Sequence, residues 1–255
     1  MTDASRQASP PPDLSPRVAL GLPLWLLLGL VLFAAPIYDS AHYDLLIRSE
    51  LGLIENGTAV LALAVTAYAL HAWRFADVMA PPWAFRLWLG FFAVGGVVLA
   101  GEEISWGQHF FGWDTPDWIR ERNIQRETNL HNLVHMAELA PKFVLHMAAT
   151  FGGILWPLAV GRGWLRAPRI GGTLYWLMPT AACLPAAALA IAVRILERVL
   201  ANAGLKERGI SFKEFKELNE LFLILFVVLY LASLATRARA AAGRGGSRSA
   251  QDRLR

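Results

Sequence analysis

Residues 84–104 read AFRLWLGFFAVGGVVLAGEEI, and this stretch decides the architecture. After Arg86 the run is apolar until two adjacent glutamates, Glu102 and Glu103, end it. A helix of about 20 residues crosses the ~30 Å hydrocarbon core of a bilayer. The rest of the chain agrees with a membrane solvent. Of 255 residues, 55% are hydrophobic and only 17% charged, where a soluble domain carries about 25%.

Five more stretches have the same character, at 18–37, 51–71, 143–160, 172–193 and 218–235. The predicted fold is therefore all-α, a polytopic membrane bundle of about six transmembrane helices occupying 18–235. Residues 1–17, rich in Pro, Ser and Ala, and 236–255, rich in Arg, Ala and Gly, read as disordered ends. The first span also admits a signal-peptide reading, with Arg17 before it and Ala34 and Ala35 near its end. Either reading leaves residue 40 outside. Cys183 is the single cysteine, so no disulfide joins the chain to itself.

Charge sorting gives the orientation. With both termini in the cytoplasm, the inner segments hold thirteen of the 24 basic residues, among them Arg74, Arg162, Arg166, Arg169 and six in the tail. Sixteen of the 20 carboxylates fall elsewhere. This is the positive-inside pattern. It predicts a multi-pass protein of the cell inner membrane, N-in and C-in, with its acids and four of its six histidines on the extracytoplasmic side. The net charge of +4 is thus a topological signal and suits anionic inner-leaflet lipid; no nucleic-acid partner is expected.

The polar residues concentrate after the third span. Ionisable groups at a span end are costly enough to suggest function, and acids at a helix C-terminus oppose the macrodipole. If the helix continues past Gly107, Glu102, Ser105 and His109 share one face at i, i+3 and i+7. The following aromatic segment, 107–128, reads as an outer loop folded partly onto the membrane surface. Next comes ETNLHNLVHMAELAPK, in which a helix opened at Asn129 places His131, His135 and Glu138 at i, i+4 and i+7, with Glu127 one turn earlier. Two histidines at that spacing can share a metal, and a nearby carboxylate can ligate it or orient an imidazole. A polar interfacial helix is the plainer alternative. Glu55 and Asn56, inside the second span, need partners, and this cluster is the simplest one. Glu217 and Glu220 read as pairs with Lys213 and Lys216 on an exposed stem, with one of the two facing the cluster as the alternative.

The blocks GEEISWGQ and N-x-Q-x-E-T-N-L-H-N-L, spanning Gly101 to Leu133, resemble a family of uncharacterised bacterial multi-pass membrane proteins. The matching positions are Glu102, Glu103, Ser105, Trp106, Gly107, Gln108, Asn123, Gln125, Glu127, Asn129, His131 and Asn132. The resemblance implies a membrane fold and brings no activity with it. A looser similarity is to ceramidase-like membrane hydrolases, whose zinc ligands include a serine with a histidine four residues on, and a late HxxxH pair. Ser105 with His109, and His131 with His135, have those spacings, but the pair falls too early and one span is missing.

Three functions fit these residues. One is a metal-dependent hydrolase or transferase acting on membrane lipid or a lipid-linked substrate. In it, zinc or another divalent metal is held by His109, His131, His135 and Glu138, with Glu102, Glu103, Ser105, Gln108 and Glu127 as catalytic or substrate-positioning groups. The others are a proton- or cation-coupled transporter and a non-catalytic accessory protein.

Overall fold

The computed structural model describes residues 12–34, 52–120, 135–204 and 213–252. Among them all regular structure is helical. Helix α1 spans Pro16–Ala34, α2 Leu53–Trp73, α3 Pro82–Glu103, and the short α4 and α5 Gln108–Phe111 and Asp117–Arg120. Then come α6 (His135–Met147), a π-helical stretch Ala148–Leu155, α7 (Trp156–Gly161), α8 (Thr173–Leu177), α9 (Leu184–Asn202) and α10 (Lys213–Asp252). Among the described residues, five segments are long and apolar enough to cross a membrane: α2, α3, Ala140–Gly161, Thr173–Asn202 and Phe215–Arg244. The chain is an integral, multi-pass helical membrane protein, and α1 adds a nineteen-residue apolar helix.

Helix α10 is the axis of the bundle. Every residue from Leu221 to Ala235 is buried, as expected of a helix apolar on all sides. Helices in lipid associate through close packing and interhelical hydrogen bonds, since lipid tails are as apolar as leucine. Both devices are present. Trp88 donates its indole N–H to the Tyr230 hydroxyl at 3.0 Å, joining α3 to α10. Asn219 donates to the Ala190 carbonyl at 2.7 Å, joining α9 to α10. Helices α2 and α3 meet through Ala62, Thr66, Ala93 and Gly96, with the Thr66 hydroxyl on the Ala93 carbonyl at 2.9 Å.

The π-helical stretch has a local cause. Pro157, at the start of α7, has no N–H for the Gly153 carbonyl, and its ring crowds that position. The widened turn relieves the conflict. Gly153 is required there for another reason: a Cβ would stand 2.6 Å from that of Ala187 and 2.7 Å from the Phe226 ring.

The ends differ from the sequence expectation. Residues 1–11 lie outside the described residues, but α1 already begins at Pro16, and Asp13 accepts a 2.6 Å bond from Ser233 on α10. At the other end, α10 continues as helix to Asp252 where the composition suggested disorder. Alanine and arginine are strong helix formers, and the 40-residue helix is about 60 Å long, twice a bilayer core. Arg237 ties this part to the bundle. It is 3% exposed, donates to the Tyr175 carbonyl and lies over the Tyr175 ring at 5.1 Å. Arg237→Ala strands that carbonyl, at a cost of about 2 kcal/mol. The expected result is a melting temperature in detergent lower by about 4–8 °C. Arg237→Lys should recover only part of it, because an ammonium lacks the planar fork. A melting temperature unchanged by Arg237→Ala would show that this anchorage contributes nothing.

Candidate functional site

Helix α3 ends where the glutamates stand, and the backbone then reverses. Ser105, Trp106 and Gly107 have φ of 46°, 54° and 87°. Two consecutive non-glycine residues in the left-handed region cost of order 1–3 kcal/mol each, and such strain persists only where surroundings hold it. Here they do. The reversed turn lays the Trp106 ring on Gly101, where a Cβ would come within 2.8 Å of the indole. From that position the Trp106 N–H reaches the Glu102 carboxylate at 2.7 Å. Gln108, at the start of α4, donates to the Thr115 hydroxyl at 2.8 Å and closes the following loop. Ser105 and Thr115 are buried, while Phe110, Phe111 and Trp113 stand exposed, with the Phe111 and Trp113 rings stacked at 5.7 Å.

The expected single face of Glu102, Ser105 and His109 is therefore corrected: the helix breaks at Ile104, so i, i+3, i+7 geometry does not apply. Ser105 and Gln108 hold the turn and do not line the cavity described next.

Between α3, the α6–α7 segment and α10 lies a cavity of about 1070 Å³. Phe91, Gly95 and Leu99 of α3, Phe151 of the π-helical stretch, and Phe226 and Tyr230 of α10 form its apolar walls. Lining residues run along α3 from Trp88 to Glu103, about 22 Å at 1.5 Å per residue. Among the described residues, the acidic and basic side chains of the lining stand at one end: Glu102, Glu103, Lys142 and Glu220. Lys142 of α6 and Glu220 of α10 form an ion pair at 2.7 Å across this mouth. Glu102 is 7% exposed.

The expectation that Glu217 and Glu220 sit on an exposed stem is corrected as well. Glu220 bridges to Lys142 at the mouth, and both Glu217 carboxylate oxygens are buried. Asn56 makes a local bond to the Gly52 carbonyl at 3.0 Å. Lys142 was not singled out in the sequence. The one signal it offers is a lone cation just ahead of an apolar run.

The expected metal ligands are only partly placed. His109 lies in α4, and His135 and Glu138 lie on α6, leading toward Lys142. Their side chains, together with Glu127 and His131, lie outside the described residues. Among the described residues no three of His, Cys, Asp and Glu gather to hold a metal ion.

Comparison with protein-family models, curated proteins and solved structures finds no match for this chain.

Proposed function

We propose that this membrane protein is an enzyme acting on a lipid or lipid-linked molecule: it hydrolyses or transfers a group at the head of an amphiphile whose tail occupies the cavity. One observation carries this reading: along about 22 Å of α3 the cavity is apolar for about 16 Å, from Trp88 to Leu99, and among the described residues it is charged only at the end beyond. Its volume stands at the upper end of ligand sites, about 300–1,000 Å³. Its length exceeds one leaflet of hydrocarbon, roughly 15 Å. A conducting or carrier route favours ionisable groups at mid-membrane, whereas here they cluster at the mouth.

In this reading Glu102 is the general base, its carboxylate oriented by the Trp106 N–H. Glu103 and the Lys142–Glu220 pair meet the head group. A divalent metal, most simply zinc, on His109, His131, His135 and Glu138 would supply an activated water. The distribution of basic residues supports an extracytoplasmic mouth, on the periplasmic side of an inner membrane. The resemblance of the GEEISWGQ block to a bacterial membrane family belongs to the same proposal.

Two measurements test it. The protein is reconstituted in nanodiscs of total lipid extract, and released head groups are followed by mass spectrometry. Release by wild type and its loss in Gly95→Phe, which obstructs the cavity midway along α3, is the expected outcome; no release from any lipid class overturns the enzyme reading. Bound metal is then counted in wild type and in the double variant His131→Ala, His135→Ala. About one zinc per chain, lost in the variant, is expected. A folded wild type without metal removes the metal from the mechanism.

A further inference from the structure

The mouth of the cavity also says what kind of head group it takes. We infer that the occupant is a long-chain amphiphile with a cationic head, an amine or quaternary ammonium; this rests on the reading that the cavity holds a lipid-like tail. Among the described lining residues, three carboxylates (Glu102, Glu103 and Glu220) face one cation, Lys142. That cation is already engaged, since Lys142 and Glu220 lie 2.7 Å apart. The walls behind them are apolar, and low-dielectric walls focus the field of a charged cleft onto whatever enters. An ammonium group at the end of a buried chain meets complementary charge there. A phosphate or carboxylate head would meet like charge on several sides, an arrangement that interfaces use to reject wrong partners.

The walls offer a built-in reporter. Trp88 and Trp156 line the tail region, so chains brominated along their length quench indole fluorescence when they enter. Three probes share one brominated chain and differ in the head: trimethylammonium, a neutral hydroxyl, and phosphate. They are titrated into the full-length protein in nanodiscs, with tetramethylammonium as the chainless control. The expected order of affinity is ammonium, hydroxyl, phosphate, with at least about tenfold between first and last, and no effect of the chainless cation. In the double variant Glu103→Gln, Glu220→Gln the ammonium preference should vanish while the hydroxyl probe binds as before; thermal unfolding confirms that the variant is folded.

Gly95→Phe separates the two levels of the argument. A Cβ at Gly95 meets nothing within 4 Å, so the ring enters the cavity without displacing a neighbour, and all three probes should be lost. If no probe quenches wild type, or if Gly95→Phe leaves quenching intact, the cavity does not hold the tail. If Gly95→Phe blocks binding but wild type prefers phosphate or ignores the head, the tail site stands and the cationic head group is wrong.

Discussion

Replacing Gly96 by leucine should unfold this protein under conditions that the same change at Gly95 survives. The two glycines are neighbours on α3 and face opposite surroundings. A Cβ at Gly96 would come within 2.5 Å of the Ala62 carbonyl oxygen and 3.0 Å of the Thr66 amide nitrogen, besides striking the Thr66 hydroxyl. These are mostly backbone atoms of α2, so no side-chain rotation relieves the clash. The helices must separate, and the Thr66–Ala93 bond goes with them. Overpacking a tight contact costs about 1–3 kcal/mol and occasionally more. With a hydrogen bond lost as well, about 3 kcal/mol or more is expected for Gly96→Leu. That corresponds to a melting temperature lower by roughly 6–12 °C, or to failure to accumulate in the membrane. Gly95→Leu meets open space. It should leave stability equal or raise it by up to about 1 kcal/mol, the ordinary gain when a helix loses a glycine. Thermal unfolding of both variants in one detergent checks the pair. Equal melting temperatures would mean that α2 and α3 do not approach as closely as Gly96 requires.

That contrast also marks how far the sequence could be read. Spans were legible because a bilayer imposes one crude demand, about 20 apolar residues in a row. The stretches 51–71, 84–104, 143–160, 172–193 and 218–235 each overlap a spanning segment of the structure, to within two residues where they overrun it. The all-round apolarity of 221–235 also held an unread signal, since such a helix belongs at the centre. Packing was illegible: nothing in VGGVV says that one glycine touches a neighbour and the next does not. Nor does hydropathy report backbone reversal. The two glutamates stand out in the sequence at a span end, but whether the helix continues past them is not legible there, because left-handed φ at Ser105 and Trp106 runs against the propensity of both residues. Lys142 and Glu220 meet only because α6 and α10 lie side by side, a tertiary fact with no local trace. The helical tail of α10 was hidden for the opposite reason. Its composition resembles disorder, while its burial at Arg237 and Ala238 comes from neighbours far away in the chain.

The reversed turn is what makes Glu102 testable apart from its neighbours. Glu102→Gln keeps an oxygen that can accept the Trp106 N–H, so the local shape should persist while the base is gone. Removing a general base typically slows turnover by 10²–10⁴-fold. A loss of about 10²-fold or more in head-group release is therefore expected, with affinity for the neutral, hydroxyl-headed amphiphile changed by less than about threefold, because the tail contacts are untouched. Glu102→Ala should show the same kinetic loss and, unlike the glutamine variant, a slightly lower melting temperature, since the bond to the Trp106 indole is lost. Trp106→Phe makes the complementary cut. It keeps a ring over Gly101 and a carboxylate at 102 but deletes the 2.7 Å bond between them. Trp106 is a positioning residue, so its loss should lower turnover by about tenfold, an intermediate effect for a base that is present but poorly oriented. The double variant Trp106→Phe, Glu102→Gln should then be no slower than Glu102→Gln alone, because two residues acting through one carboxylate are not additive. Turnover in Glu102→Gln equal to wild type would remove Glu102 from the chemistry and leave the strained turn as a structural cap on α3. Full additivity of the two changes would assign Trp106 a separate task.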